Sequence, residues 1–377
     1  MAARCHPQPQ QHRQQRCACR AAASRARPPR GARPARQAPG GGRAAHCAAQ
    51  QSQPLEQQQQ QQQQQSQQQQ GGAALAEAVR AVRGRFVIPA DEVAALQAAA
   101  GVGMDALLLA MLGEAAHASR SAISNYKVGA VGLGGSGAVY LGANLEFPGN
   151  ALNQSVHGEQ FVLANLLLHR ERSLHSLAIS AAPCGHCRQF YSELACADSV
   201  RFVFGYRGHA EPAVFSLDQL LPARFGPLDL LEDPSAPLLL EEQRHALAWA
   251  PAAADALAAR RGDAAFVAAA DAALAAAQSS YAPYTRCPSG VALVTRGGAV
   301  AAGGYVESAA HNPGLPPLQA AVAAGIITGA LGSYAEIQEV VVAEVGGGLV
   351  SHARAARAVA ASISPDVAVT VLHVARQ

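Results

Sequence analysis

Two short stretches decide how this chain is interpreted, Val156-His157-Gly158-Glu159-Gln160 and Pro183-Cys184-Gly185-His186-Cys187. Two cysteines one helical turn apart can chelate a single metal ion, and the start of a helix favours their thiolate form. His157 would complete a Cys2His ligand set, which leaves the fourth tetrahedral position open, as catalytic zinc requires. The pKa of water bound there falls from about 15.7 to about 7. Glu159 is close enough in sequence to carry its proton to a leaving group.

The sequence around these two stretches alternates between helical and strand patterns. Helices are predicted at Asp105–Ala118, Val156–Leu168 and Gly185–Leu194, with a hairpin formed by Lys127–Leu133 and Ala138–Asn144 and further strands at Leu177–Ala181 and Val200–Gly205. Ser155 is the predicted N-cap of the helix that follows it. This α-β-β-α-β-α-β order predicts an α/β layered domain around a buried sheet.

The body of the chain repeats itself at an offset of 161 residues. At this offset Gly129 aligns with Gly290, and the apolar helix 156–168 aligns with Leu318–Gly329. The positions of His157, Glu159, Cys184 and Cys187 are then occupied by Leu318, Ala320, Val345 and Gly348. A CxxC pair is also typical of structural zinc or of redox chemistry. A structural ion would be needed by both copies. The absence of the ligand residues from the second copy therefore favours a catalytic site in the first.

The resulting domain prediction has four parts. A disordered Arg/Pro- and Gln-rich tail covers residues 1–72, and a catalytic zinc domain covers 86–206. A linker over 207–260 includes Phe225, and a catalytically degenerate copy of the first domain covers 261–377.

Charge is distributed unevenly along the chain. Residues 1–50 hold ten of the 29 Lys and Arg residues and no acidic residue, so 19 basic and 26 acidic residues remain in 51–377, a formal net charge of −7. An acidic body disfavours nucleic acid as a partner. The Arg-rich start is also typical of a transit peptide, so we expect a cytoplasmic protein, or a plastid or mitochondrial one if the tail is such a signal. Gly314–Ala335 is uncharged, but it is better explained by a buried helix than by a membrane span.

The combined motifs resemble the cytidine deaminases, specifically the larger homodimeric type with an inactive C-terminal copy. The resembling segments lie between about residues 105 and 345 and are 124–130, 142–147, 156–160, 183–190, 225–230, 288–292 and 312–319. The H-x-E and P-C-x-x-C pair is the known signature of zinc nucleobase deaminases. The resemblance implies an α/β three-layer fold in two tandem copies, with one zinc ion per chain.

The same resemblance implies a role for each matching residue. His157, Cys184 and Cys187 would be the zinc ligands, and Glu159 the proton shuttle. The implied substrate contacts are Asn144 and Glu146 for the ribose hydroxyls, Tyr126 (phenylalanine in the family) against the pyrimidine ring, backbone groups of Gly158 and Ala182 at the base edge, and Phe225, which the family contributes across the dimer interface.

The expected function is zinc-dependent hydrolytic deamination of cytidine and 2′-deoxycytidine to uridine and 2′-deoxyuridine in pyrimidine salvage, by a homodimer with shared active sites. One alternative is a deaminase acting on RNA or DNA. The acidic body and the presence of a single lysine, Lys127, weigh against it. The other alternative is a non-catalytic zinc-binding protein, but the presence of Asn144, Glu146 and Glu159 beside the metal motif weighs against that.

Overall fold

The computed structural model describes residues 72–205 and 211–377, so the predicted disordered tail lies almost entirely outside the described residues. The described chain begins with a helix over 72–81, which we label α1. Ala78 within it and Val82 just after it are buried. Packed structure therefore starts before Phe86, the position at which the sequence places the start of the ordered domain.

The first copy of the repeat, residues 86–205, forms a six-stranded mixed sheet. Its elements are β1 (Val87–Ile88), α2 (Ala90–Ala100), α3 (Met104–His117), β2 (Gly129–Gly134), β3 (Val139–Ala143), α4 (Gly158–Leu168), β4 (Leu174–Ile179), α5 (Gly185–Tyr191) and β5 (Arg201–Phe204), and β6 (Ala213–Phe215) from the following segment joins the sheet. The strand order is β1-β3-β2-β4-β5-β6, in which β4 and β5 are parallel. The predicted hairpin and helices are confirmed, with bounds that differ by a few residues.

The second copy, residues 261–377, repeats this topology. The intervening segment holds α6 (Leu217–Leu220), β7 (Leu247–Trp249) and α7 (Pro251–Ala259). The elements of the second copy are α8 (Ala264–Gln278), β8 (Ser289–Thr295), β9 (Val300–Gly304), α9 (Pro317–Ile327), β10 (Ile337–Val345), α10 (Ala353–Ile363) and β11 (Ala368–Arg376). The order β9-β8-β10-β11 reproduces β3-β2-β4-β5, with a parallel last pair in each sheet. The segment 207–260 contributes β6 to the first sheet and β7 to the second.

Each sheet is covered by helices on both faces. Alternate side chains of a strand point to opposite faces. Val131 and Leu141 therefore pack with α2 and α3, whereas Ala130 and Tyr140 face α4. The second sheet packs in the same way between α8 and α9. The predicted three-layer fold is confirmed, and α4 and α9 contact each other where the two copies meet.

A pair of glycines shows how closely the two copies correspond. A Cβ atom at Gly129 would lie 2.2 Å from the carbonyl oxygen of Leu112 in α3, and one at Gly290 would lie 2.2 Å from that of Ala273 in α8. Gly129 and Gly290 are 161 residues apart, and so are the two residues that they approach, Leu112 and Ala273. Glycine is thus required at the same strand–helix approach in both copies.

No single helix among the described residues is long and apolar enough to cross a bilayer. The helices α2 and α3 satisfy the length and composition test only as a pair, across a 103° bend.

The buried carboxylate of Glu193 ties the first copy to the second. It is fully buried and accepts hydrogen bonds from the hydroxyl groups of Tyr281 (3.0 Å) and Tyr284 and from the backbone N–H of Ala309 (2.7 Å). Burial raises the pKa of Glu193, although these three donors favour its ionised form. The native state therefore holds a proton on this group more tightly than the unfolded chain does.

Glu193→Gln is expected to remove a pH-dependent part of the stability. A carboxyl group with a raised native pKa contributes fully at a pH below its unfolded pKa, and this contribution is lost as pH rises through the native pKa. The free energy of unfolding of the wild type minus that of the variant should be constant below about pH 4, the unfolded pKa of glutamate, and should fall as pH rises above it, by about 1.4 kcal/mol per unit of pKa difference. Urea titrations at several pH values measure this difference. A difference that stays constant with pH would contradict the assignment.

Candidate metal centre and active site

The first turn of α4 carries His157 and Glu159 into the centre of the first copy. The helix begins at Gly158 with His157 as its N-cap, so the prediction of Ser155 as N-cap is wrong. The reason is a pair of backbone hydrogen bonds between Val156 and Leu145, which keeps the chain extended up to the histidine. The helix begins only after this bridge. The N–H of His157 is bound by the side-chain oxygen of Gln160 at 3.0 Å.

The two cysteines reach the same place from β4. The strand ends at Ile179, and after a short loop Cys184 forms the N-cap of α5 and Cys187 lies in its first turn. The Nδ1 atom of His157 lies 3.5 Å from the Sγ atom of Cys184 and 3.3 Å from that of Cys187. Tetrahedral zinc with ordinary Zn–N and Zn–S bonds places such atoms about 3.5 Å apart. Both distances from His157 therefore fit a zinc ion shared with the two cysteines.

The surroundings of one cysteine, Cys184, favour the form that binds metal, whereas the neighbouring Cys184 and burial raise the pKa of the Cys187 thiol. Hydrogen bonds from Cys187 and from His157 lower the pKa of the Cys184 thiol to about 3, against the opposing effect of burial. The interaction with Cys184 in turn raises the pKa of His157. Cys184 is thus held as the thiolate, which is the form that binds metal.

Glu159 lies directly beside these ligands. Its side chain is 5% exposed, and burial raises its pKa. The hydroxyl of Tyr191 donates a hydrogen bond to the backbone carbonyl of Glu159 (3.0 Å), and this bond fixes the first turn of α4. A buried carboxyl group with a raised pKa takes up a proton more readily than an exposed one, which suits the role of a general acid and base.

One residue of this cluster, His186, is not among the residues predicted from the sequence. Its ring stacks on that of His157 with centroids 5.0 Å apart, and its Nε2 atom lies 3.0 Å from the carbonyl oxygen of Asn312 in the second copy. Ligand atoms of His157, His186 and Cys187 all lie within 4.8 Å of one another. The only sequence signal was its place between the two cysteines.

Asn144 and Glu146, the predicted ribose contacts, hold the loop that precedes β2. The Asn144 amide accepts from Ser119 Oγ (2.7 Å) and the Val128 N–H (2.9 Å), and it donates to the Tyr126 carbonyl (2.9 Å). The carboxylate of Glu146 is bound by the N–H groups of residues 123 and 124 and by the hydroxyl of residue 124. Their contacts with a substrate stay predictions.

The same loop anchor exists in the second copy. The carboxylate of Glu307 is bound by the N–H groups of Tyr284 and Thr285 and by the hydroxyl of Thr285, which are the positions 161 residues after those bound by Glu146. Because the second copy lacks the metal ligands, this anchor is independent of catalysis. It explains why a glutamate remains at position 307.

The four remaining predicted substrate contacts differ in exposure. Tyr126 is 60% exposed, Ala182 is exposed, and the ring of Phe225 is 46% exposed while its carbonyl accepts from Gln189 Nε2 of α5. Gly158 is buried, and a Cβ atom there would lie 3.2 Å from Val128 Cγ1. The structure thus brings the ligands and Glu159 together. The contacts of these four residues with a substrate stay predictions.

Comparison with known proteins agrees with this geometry. The family model of the cytidine and deoxycytidylate deaminase zinc-binding region matches residues 104–203 and again 217–357. Cytidine deaminase 1 of Arabidopsis thaliana is 39% identical over 76% of this chain and 97% of its own length. Cytidine deaminase of Klebsiella pneumoniae is 39% identical over 68% of this chain and 79% of its own length. With two matched zinc-binding regions and relatives of this similarity, the chain belongs to the cytidine deaminase family of zinc-binding enzymes.

Proposed function

We propose that this chain catalyses the hydrolytic deamination of cytidine and 2′-deoxycytidine to uridine and 2′-deoxyuridine in pyrimidine salvage. The observation that carries the proposal is the buried carboxyl group of Glu159 beside the His157, Cys184 and Cys187 ligand set. The names of the similar proteins support cytidine as the substrate. Zinc held by these ligands would activate water by lowering its pKa to about 7.

Glu159 performs the proton transfers in this proposal. Its raised pKa lets it take a proton from the attacking water and pass it to N3 of the pyrimidine. It then takes the proton of the hydroxyl group added at C4 and carries it to the amino group, so that the C4–N bond breaks, the C4 carbonyl forms and ammonia leaves. Water and cytidine are thus converted to uridine and ammonia, with no further reactant. The fixed first turn of α4 keeps the carboxyl group at one place during both transfers.

Substrate class is tested by comparing free nucleosides with a polynucleotide. Purified protein is incubated with cytidine, with 2′-deoxycytidine and with a cytosine-containing single-stranded oligonucleotide, and the products are separated by chromatography. We expect uridine and 2′-deoxyuridine to form and the oligonucleotide to remain unchanged. Deamination of the oligonucleotide without turnover of either nucleoside would reject the proposal.

We also propose that the active enzyme is a homodimer in which Phe225 completes the partner's active site. Phe225, Leu228 and Leu230 follow one another in a short segment and are 46%, 70% and 43% exposed. Clustered exposed apolar side chains mark an interaction surface. In a dimer, contact of this segment with the other chain would cover these apolar side chains.

Mixed dimers are expected to show whether the site is shared. A heterodimer of Glu159→Gln and Phe225→Ala chains should regain one intact site, because the Phe225→Ala chain supplies Glu159 and its partner supplies Phe225. The loss in Phe225→Ala alone should correspond to about 1–3 kcal/mol, the value for base stacking. Cytidine turnover of isolated heterodimers is the measurement.

The matched control is a heterodimer of the wild type with the double variant. It carries the same two substitutions in one chain, so a shared site leaves it with no intact site. If this control is the more active of the two heterodimers, each site is built within one chain and the role of Phe225 is wrong.

A further inference from the structure

The two inner helices of the fold make a symmetrical pair of contacts between the copies. Gln160, the third residue of α4, donates from Nε2 to the carbonyl oxygen of Pro313 at 3.0 Å. Gln319, the third residue of α9, donates from Nε2 to the side-chain oxygen of Gln154 at 2.9 Å and to its carbonyl oxygen at 3.3 Å. Both the donors and the acceptors are 159 residues apart, as are the first residues of α4 and α9. At these helices the offset between the copies is therefore 159 and not the 161 predicted from the sequence, so the counterparts of His157 and Glu159 are Pro316 and Leu318. Each helix thus binds the loop that precedes its counterpart.

The two helices differ in what their glutamine binds at the N-cap. The side-chain oxygen of Gln160 accepts from the N–H of His157, the N-cap of α4. The N-cap of α9 is Pro316, which has no N–H to donate. Gln160 therefore connects a zinc ligand to Pro313 of the second copy. Gln319 has the same burial but makes no such connection.

A second contact joins the same loop to the same ligand. His186 binds the carbonyl oxygen of Asn312 through Nε2, and its ring stacks on that of His157. The two acceptors, Asn312 and Pro313, are adjacent in a turn closed by the hydrogen bond from the Gly314 N–H to the His311 carbonyl. Backbone carbonyls in a closed turn are fixed acceptors, so both contacts restrict where His157 can lie.

We propose that Gln160 and His186 are positioning residues through which the second copy, by the carbonyl groups of Asn312 and Pro313, holds His157 in place for zinc. The proposal rests on the metal site of the proposed function, but not on its substrate. Partners that orient a metal ligand commonly contribute about 10- to 100-fold to metal affinity or activity. The second copy would then support the site although it carries none of the ligands.

The test compares Gln160→Met with Gln319→Met in the zinc-loaded full chain. Each variant removes one buried contact between the copies, but only the first removes the link to His157. The measurement is the rate of zinc release to a chromophoric chelator, together with the melting temperature. We expect release about 10- to 100-fold faster in Gln160→Met and within about twofold of the wild type in Gln319→Met, with similar melting temperatures for the two variants.

His186→Phe serves as the second variant if Gln160→Met does not fold. It keeps a ring that can stack on His157 but lacks the donor to Asn312, and faster zinc release is again expected. Equal release rates in the wild type, Gln160→Met and His186→Phe, or release that follows the melting temperature in all variants, would overturn the proposal. Zinc release needs no substrate, so failure here is distinguishable from failure of the proposed deamination.

Discussion

Glu159→Gln is expected to lower kcat for cytidine by about 10²- to 10⁴-fold, the usual contribution of a general acid–base group, while the zinc content stays unchanged. The substitution keeps the size of the side chain and all three ligands, His157, Cys184 and Cys187. It removes the group that can take up and release a proton beside them. Steady-state kinetics and elemental analysis of the same preparation measure both quantities.

Glu193→Gln is the matched control for this experiment. It makes the same chemical change at another buried carboxyl group with a raised pKa, outside the ligand cluster. Its turnover should stay within about threefold of the wild type, since it contacts no ligand. A Glu159→Gln enzyme that keeps near-normal turnover would show that another group carries the proton.

Cys184→Ala is expected to lose both the bound zinc and the turnover. Of the three predicted ligands only His157 and Cys187 would remain, one fewer than a catalytic zinc site requires. The side chain of Cys184 is exposed, so its removal leaves no cavity in the core. We expect about one zinc per chain in the wild type and close to none in the variant, by elemental analysis, with a melting temperature that shows a folded chain.

Cys196→Ala provides the control for cysteine removal. Cys196 contacts the backbone of Leu174 and lies outside the ligand set, so zinc content and turnover should be retained. Two zinc ions per chain in the wild type would contradict the expectation that the second copy, which has no Cys-x-x-Cys motif, binds none.

The elements with strong local patterns were predictable from the sequence. The helix predicted at Asp105–Ala118 is α3, and the glycine-rich turn at 134–137 joins β2 to β3. The 161-residue repeat was also predictable, because Gly129 and Gly290 are needed at the same close contact. The ligands were recognisable since metal chemistry restricts both residue type and spacing.

The features that the sequence did not reveal depend on contacts between distant residues. Ser155 has the residue type of an N-cap, but the bridge between Val156 and Leu145 delays the helix to Gly158. Glu193 and His186 carry no local pattern that indicates a partner in the second copy. Their roles follow only from how α4 and α9 bring the two copies together.

The packing of α4 against α9 also determines how the chain can fold and evolve. One apolar core contains Phe161 and Leu166 of α4 together with Leu318 and Ile326 of α9, and it reaches both sheets. Separation of the halves would expose two helices whose residues are buried on nearly every side. We therefore expect the two halves to unfold together, because each covers the apolar helix of the other. Substitutions that remove the metal ligands from one half are then tolerated, whereas deletion of that half would destabilise the other.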